Sequence, residues 1–383
     1  MKFVYGTRNS SKIEHMNNML KGMHIEIEKL PELEEPVETG SDMLENAKIK
    51  ALHYYKLLKR PVFSCDSGLY FDGVQDEDQP GKHVRRINGK SLTDEEMTNY
   101  YAGLADKYGG SLIARYHNAI CLVLDENHVI CCGDETLNSE AFKLVSKPHS
   151  KRREGFPLDA LSIDLKTGKY YEDLKGYIFE DSELDKGFRD FFKRVLSPEV
   201  LVDFKDYGQV KMILNPYDAP ETVKNFIHLI KSEYYLNKSI CRSVSNRLIQ
   251  TGDTNLPPKN WTDDTPGYVL SGEFNREGFI NPLSFKRGTV GMAMAASMKT
   301  DYATAGSFFI MTRDEEALDD VVPAFARVVE GMDVIDRING SDTHNNYGYD
   351  ALECPVPILS MSVDTKGVDY EMPVKVDLKA VDF

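Results

Sequence analysis

The chain opens on an apolar triplet, Phe3-Val4-Tyr5, which predicts a short strand. Residues 6–11 are polar and read as a turn, and 12–20 predicts a helix with Ile13, Met16 and Leu20 on one face. A second helix is expected over 42–58, an apolar strand over 61–64, and a strand pair near 119–124 and 129–132. Helices and strands alternate, so the first half is α/β. A last helix near 186–196 stops at Ser197-Pro198. The period then changes: Val210, Met212 and Leu214 alternate with polar residues in a strand ended by Asn215-Pro216. Pro220 opens a helix that aligns Val223, Phe226, Ile227 and Ile230. Residues 240–363 are mostly short, glycine-punctuated and β-like, the pattern of a small barrel with a few helices. No internal repeat is visible, and the tail after Asp364 is polar, patternless and expected to be extended.

Length supports that division, because 383 residues exceed what one core organises, roughly 250–300. The expected domains are 1–196, a linker with the first barrel residues over 197–208, a barrel over 209–363 and a tail over 364–383. With 41% apolar and 28% charged residues, disordered, fibrous and coiled-coil classes are excluded. No apolar run approaches the ~20 residues that span a bilayer, and the first residues carry no long apolar stretch, so a cytoplasmic protein is expected. Six cysteines without a CxxC pair read as buried thiols rather than a disulfide framework or zinc site. A net charge of −15 opposes binding to nucleic acid or anionic membranes.

Three features of the first half carry chemistry. Thr7-Arg8-Asn9-Ser10-Ser11-Lys12 joins a strand to a helix, where free N–H groups and Lys12 suit a phosphate; an N-capping turn with a solvated lysine fits the residues equally. In Cys65-Asp66-Ser67-Gly68-Leu69 an acid directly follows an apolar strand, the edge at which α/β folds place ligands. Glu38-Thr39-Gly40 precedes Glu45-Asn46-Ala47-Lys48-Ile49-Lys50-Ala51, in which Asn46 and Lys50 share a helix face.

In order and spacing these residues resemble the inosine triphosphate pyrophosphatases, which hydrolyse ITP, dITP and XTP to the monophosphate and pyrophosphate. That family's Thr-Gly-Asn-x-x-Lys loop matches Thr7, Asn9 and Lys12, with Arg8 for glycine, and its Glu-Asn-Ala-x-x-Lys-Ala helix matches residues 45–51 throughout. Its Asp-Asp-Ser-Gly-Leu segment matches Asp66 to Leu69, with Cys65 for the first aspartate. Pro80-Gly81 and Arg86 match a further segment in which Val84 replaces serine, and Phe156-Pro157-Leu158-Asp159 stands for Phe-Gly-Tyr-Asp. The resemblance covers about residues 1–196 and implies a mixed sheet flanked by helices and a homodimer formed through this domain. It implies Mg²⁺ held by Glu38 and Asp66, with Asp66 as the base for water. Lys12, Lys50 and one of Arg85 or Arg86 would face the phosphates, with Thr7, Asn9, Asn46, Ser67, Phe156, Asp159 and Lys186 completing the nucleotide site. Where the family reads the purine with a lysine and a Ser-His-Arg motif, this chain has Glu180 and Asp185-Lys186, so weaker discrimination between bases is expected.

In the second half Arg242 lies in a strand ahead of Leu248-Ile249-Gln250-Thr251-Gly252-Asp253, and Met292-Ala293-Met294 and Ser307-Phe308-Phe309-Ile310-Met311 read alone as core strands. The order of these segments over about 198–363 resembles the cyclophilins, eight-stranded barrels that isomerise X-Pro bonds. By that resemblance Arg242 would stabilise the twisted amide and Gln250 would support it. Phe309, Leu318, Leu248 and Met292 would line the proline pocket, with Ala293 on the substrate backbone. Arg247 replaces a pocket phenylalanine, Met294 an asparagine, Ser307 a glutamine, Ala317 a tryptophan and Val322 a histidine. Low or narrow isomerase activity on X-Pro peptides is expected. The alternatives are a non-catalytic peptide-binding module, or a nucleotide sensor with two inactive halves.

Overall fold

The structure, a computed structural model, describes residues 2–23, 25–87, 89–174, 182–252, 266–275, 279–294, 302–346 and 349–377. Asp253 and Glu180 lie outside the described residues. The chain divides into two compact units, residues 1–195 and 196–383.

The first unit is built on a mixed sheet. Strand β1 (Lys2–Tyr5) leads into helix α1 (Ser10–Met19), followed by β2 (Glu26–Lys29), α2 (Met43–Leu58) and β3 (Val62–Phe71). Then come α3 (Asp94–Lys107), β4 (Ser111–Val123), β5 (Val129–Cys132), β6 (Phe142–Val145), β7 (Ser162–Asp164) and α4 (Glu183–Leu196). The strand order is β2-β1-β3-β4-β6-β7, with β5 paired to β4. Strands β2 and β3 run parallel to β1, and β3 and β4 are antiparallel over 62–71. Asn9 caps α1 through Ser11 and Lys12 N–H groups, and Asp42 caps α2 through the Glu45 N–H. Phe191 and Phe192 of α4 pack edge-on to one another, and Phe192 meets Phe3 and Phe63 at ring distances of 6.0 and 5.4 Å.

The expected end of the third strand at residue 64 needs correction. Ladder bonds to β4 carry β3 on to Phe71, so Asp66 and Ser67 lie within a strand rather than in a loop after it.

The second unit is a closed antiparallel barrel. Its strands are β8 (Glu199–Phe204), β9 (Gly208–Leu214), β10 (Ser239–Val244), β11 (Leu248–Gly252), β12 (Thr289–Met292), β13 (Phe308–Met311), β14 (Ala324–Glu330) and β15 (Tyr349–Asp364). Their order is β8-β9-β14-β12-β13-β11-β10-β15, and the β8–β15 ladder closes the ring. Helices α5 (Pro220–Lys231) and α6 (Met332–Asn339) contribute Val223, Phe226, Ile227, Ile230, Val334, Ile335 and Ile338 to the barrel core. Within segment 197–208, expected to hold a linker and the first barrel residues, Val200, Val202 and Phe204 point into the barrel core, and 205–207 is a hairpin turn. The tail is also more ordered than its composition suggests, because Tyr370 packs on the core and Val376–Asp377 pairs with Tyr268–Ser271.

Among the described residues no helix is long and apolar enough to cross a membrane.

Candidate active sites

Helix α2 and strand β3 bring the carboxylates and cations of the first unit together. Asp66 on β3 accepts from Lys50 Nζ at 2.9 Å and from Asn46 Nδ2 at 3.2 Å. The same ammonium meets Glu38 Oε1 at 2.8 Å, and Arg86 Nη1 reaches Glu38 Oε2 at 4.0 Å. Lys12 is electrostatically coupled to Lys50, Asp66 and Glu38. Burial alone would raise the Glu38 pKa, but the hydrogen bond and charge of Lys50, with Arg86 and Lys12, bring it below the ordinary carboxyl value. Lys50 moves the other way: burial opposes its charge, and Asp66 and Glu38 outweigh that and raise it.

Asn46 is a positioning residue in this geometry. Its Oδ1 accepts the Gly40 N–H at 2.9 Å while its Nδ2 holds Asp66, so one buried amide fixes the loop that carries Glu38 and the strand that carries Asp66. Gly40 is required for that approach, since a Cβ there would lie 2.6 Å from Asn46 Oδ1. Lys82 locks the same loop from outside, donating to the Gly40 and Ser41 carbonyls at 2.5 and 2.9 Å. No spacing rule pointed to Lys82.

The remaining nucleotide-site candidates fall into separate places. Thr7 Oγ1 accepts the Asn9 N–H, and Ser11 Oγ donates to the Glu154 carbonyl, which joins the Thr7-to-Lys12 loop to the segment carrying Phe156 and Asp159. Arg153, missed in the sequence, lies over the Phe156 ring at 4.5 Å and meets Asp159 at 3.9 Å. Burial pushes the Asp159 pKa up to about 7 despite Arg153, with Glu172 adding to the rise. Ser67 turns to the other face of the strand from Asp66 and donates to Asn118 Oδ1 at 2.7 Å. Arg85 is held by Asp94 at 2.7 Å, so Arg86 is the arginine turned to the carboxylates. Lys186 is exposed on α4 and makes no ion pair among the described residues. Cys65, standing where the family pattern has aspartate, removes a charge: burial pushes its thiol pKa up to about 12.

Two carboxylates sharing one lysine, with no group of three or more His, Cys, Asp or Glu ligands among the described residues, do not form a closed metal cage. They fit a hard cation that takes one or two carboxylates and keeps water and phosphate oxygens as its other ligands.

In the barrel, Arg242 on β10 and Gln250 on β11 are ladder partners, and Arg242 Nη1 donates to Gln250 Oε1 at 3.0 Å. Gln250 Nε2 donates to Ser307 Oγ at 3.3 Å, and that hydroxyl donates to the Thr251 carbonyl at 2.5 Å. Beside this chain lies an apolar cluster of Leu248, Phe285, Ala293, Phe309 and Val322, with Met294 and Leu318 packed on it. Phe285 and Phe309 stack at 5.5 Å. Met292 is not part of this wall: strand alternation sends it into the barrel core, so its expected place in the pocket is wrong. Arg247 is held by Glu315 at 3.2 Å.

Comparison with known proteins matches each unit to a different family. The model described as "Ham1 family" matches residues 3–142, and that described as "Cyclophilin type peptidyl-prolyl cis-trans isomerase/CLD" matches residues 200–363. The dITP/XTP pyrophosphatase of Coxiella burnetii is 33% identical over 35% of this chain and 68% of its own length. A peptidyl-prolyl cis-trans isomerase of Acinetobacter baylyi is 29% identical over 44% of this chain and 87% of its own. The peptidyl-prolyl cis-trans isomerase CYP71 of Arabidopsis thaliana is 34% identical, and the match spans only 22% of its length. Among solved structures, a HAM1 protein from Coxiella burnetii aligns with a TM-score of 0.40 at 24% identity, over 50% of this chain and 96% of that one.

Proposed function

Because the first half of this chain belongs to the Ham1 family of dITP/XTP pyrophosphatases and the second is a cyclophilin-type domain, both enzyme families, we propose that it is a bifunctional enzyme. The first unit hydrolyses non-standard purine nucleoside triphosphates to monophosphate and pyrophosphate, and the second isomerises X-Pro bonds. The observation that carries the first activity is the pairing of Asp66 and Glu38 across Lys50. Mg²⁺, the cation these carboxylates suit, would neutralise triphosphate oxygens and polarise the phosphorus under attack. Asp66, fixed by Asn46 and Lys50, accepts the proton of the attacking water. Lys12, Lys50 and Arg86 face the charge that develops on the phosphate oxygens, and Asn9 holds the helix N-terminus beneath them. Phe156, with Arg153 over its ring, offers a face to the purine.

In the barrel, Arg242 held by Gln250 donates to the proline nitrogen or its neighbouring carbonyl as the amide twists out of resonance, against a barrier of ~18–20 kcal/mol. Phe309, Leu248 and Leu318 hold the ring. Arg247 puts a charge beside that wall, which favours a slow or narrow isomerase.

Asp66→Asn tests the first activity. Turnover of dITP should fall by ~100-fold or more, the low end of acid–base contributions. Unchanged turnover would remove Asp66 from the chemistry.

A further inference from the structure

Cys121 on β4 and Cys131 on β5 stand directly opposite one another in an antiparallel ladder, and both side chains belong to one apolar cluster. Opposed residues of such a ladder have Cα atoms ~4.5–5.5 Å apart, inside the ~4.4–6.8 Å range that a disulfide spans without backbone movement. Both are free thiols, Cys121 buried and Cys131 half-buried. They pack beneath α2 against Ala47 and Ala51, on the face of the sheet that also carries Asp66. The other cysteines of this unit lie elsewhere: Cys65 stands opposite Ile120 in the ladder, and Cys132 donates to Asp134 at 3.3 Å.

We propose that Cys121 and Cys131 form a peroxide-oxidisable dithiol, a reversible modification site behind the helix that carries Asn46 and Lys50. The neighbouring Cys121, with Lys48, brings the Cys131 thiol below its usual pKa against the effect of burial. The Cys131 thiolate attacks one oxygen of hydrogen peroxide, the O–O bond breaks, and the leaving hydroxide takes a proton to become water. Cys121 then attacks the sulfenic sulfur, the S–S bond forms, and the sulfenic oxygen leaves as water with the Cys121 proton. One peroxide is reduced to two waters, and two thiols are oxidised to one disulfide.

The test is limited hydrogen peroxide on the full chain, read by thiol titration, intact mass and peptide mapping, and it needs no nucleotide. Two of the six thiols should disappear with a mass loss of about 2 Da, the bridged peptides should contain residues 121 and 131, and dithiothreitol should restore both. Cys131→Ser should abolish the bridge. Mapping of the wild type decides the matter even if that variant folds poorly. Oxidation of Cys131 to sulfinic acid without a bridge, or a bridge to any other cysteine, would overturn the proposal.

Discussion

Asp159 shows what single side chains add to the family pattern. Its carboxyl is raised to about 7, chiefly by burial, so between the ordinary value of 3.8 and 7 the folded chain binds more protons than the unfolded one. Stability therefore falls as pH rises through that window, the reverse of the usual depressed carboxylate. Asp159→Asn should raise the melting temperature at pH 8 and leave it nearly unchanged at pH 4, and an equal gain at both would show that the shift is absent. Asp185 behaves alike, raised to about 6 by burial where the family pattern has histidine. A carboxyl there cannot supply the donors of that motif at neutral pH, so the ratio of dITP to dGTP turnover should stay below the ~10⁴ that a hydrogen-bonding pocket reaches; a larger measured ratio would contradict this. Such environments were not legible in the sequence, because Arg153, Glu172 and Asn118 reach their partners only through the fold.

Local patterning recovered whole elements where one periodicity dominated. Residues 43–58 and 220–231 became helices because an apolar face agrees with the Asp42 cap in the first and with Pro220 in the first turn of the second. The sequence shows strand β3 only to residue 64, because Ser64-Cys65-Asp66-Ser67-Gly68 is polar, while its pairing with β4 is a tertiary fact. The sequence marks strand β8 weakly, since Pro198 signals a stop and Asp203 and Lys205 flank the core-facing Phe204. The strand pair β12 and β13 carries its own constraint: a Cβ at Gly291 would lie 2.6 Å from the Phe309 ring and 2.7 Å from Phe285. Gly291→Ala should cost ~1–3 kcal/mol by overpacking and weaken X-Pro peptide binding, since it displaces a pocket wall. Denaturant midpoints and peptide titration measure both, and an unaltered midpoint would mean that the rings move aside freely.

At the scale of the molecule, two family patterns lie end to end, and each unit has its own core. Residues 1–197 and 198–383, expressed separately, should each unfold cooperatively; failure of either to fold alone would show that its stability depends on the other. The two-family organisation was the most legible feature, because motif order survives substitutions such as Cys65 and Arg247 that alter the sites themselves. The most direct measurement of the central claim is phosphorus NMR of the intact chain turning over dITP with Mg²⁺. The account predicts pyrophosphate and the monophosphate as the only products, whereas orthophosphate and the diphosphate would contradict it.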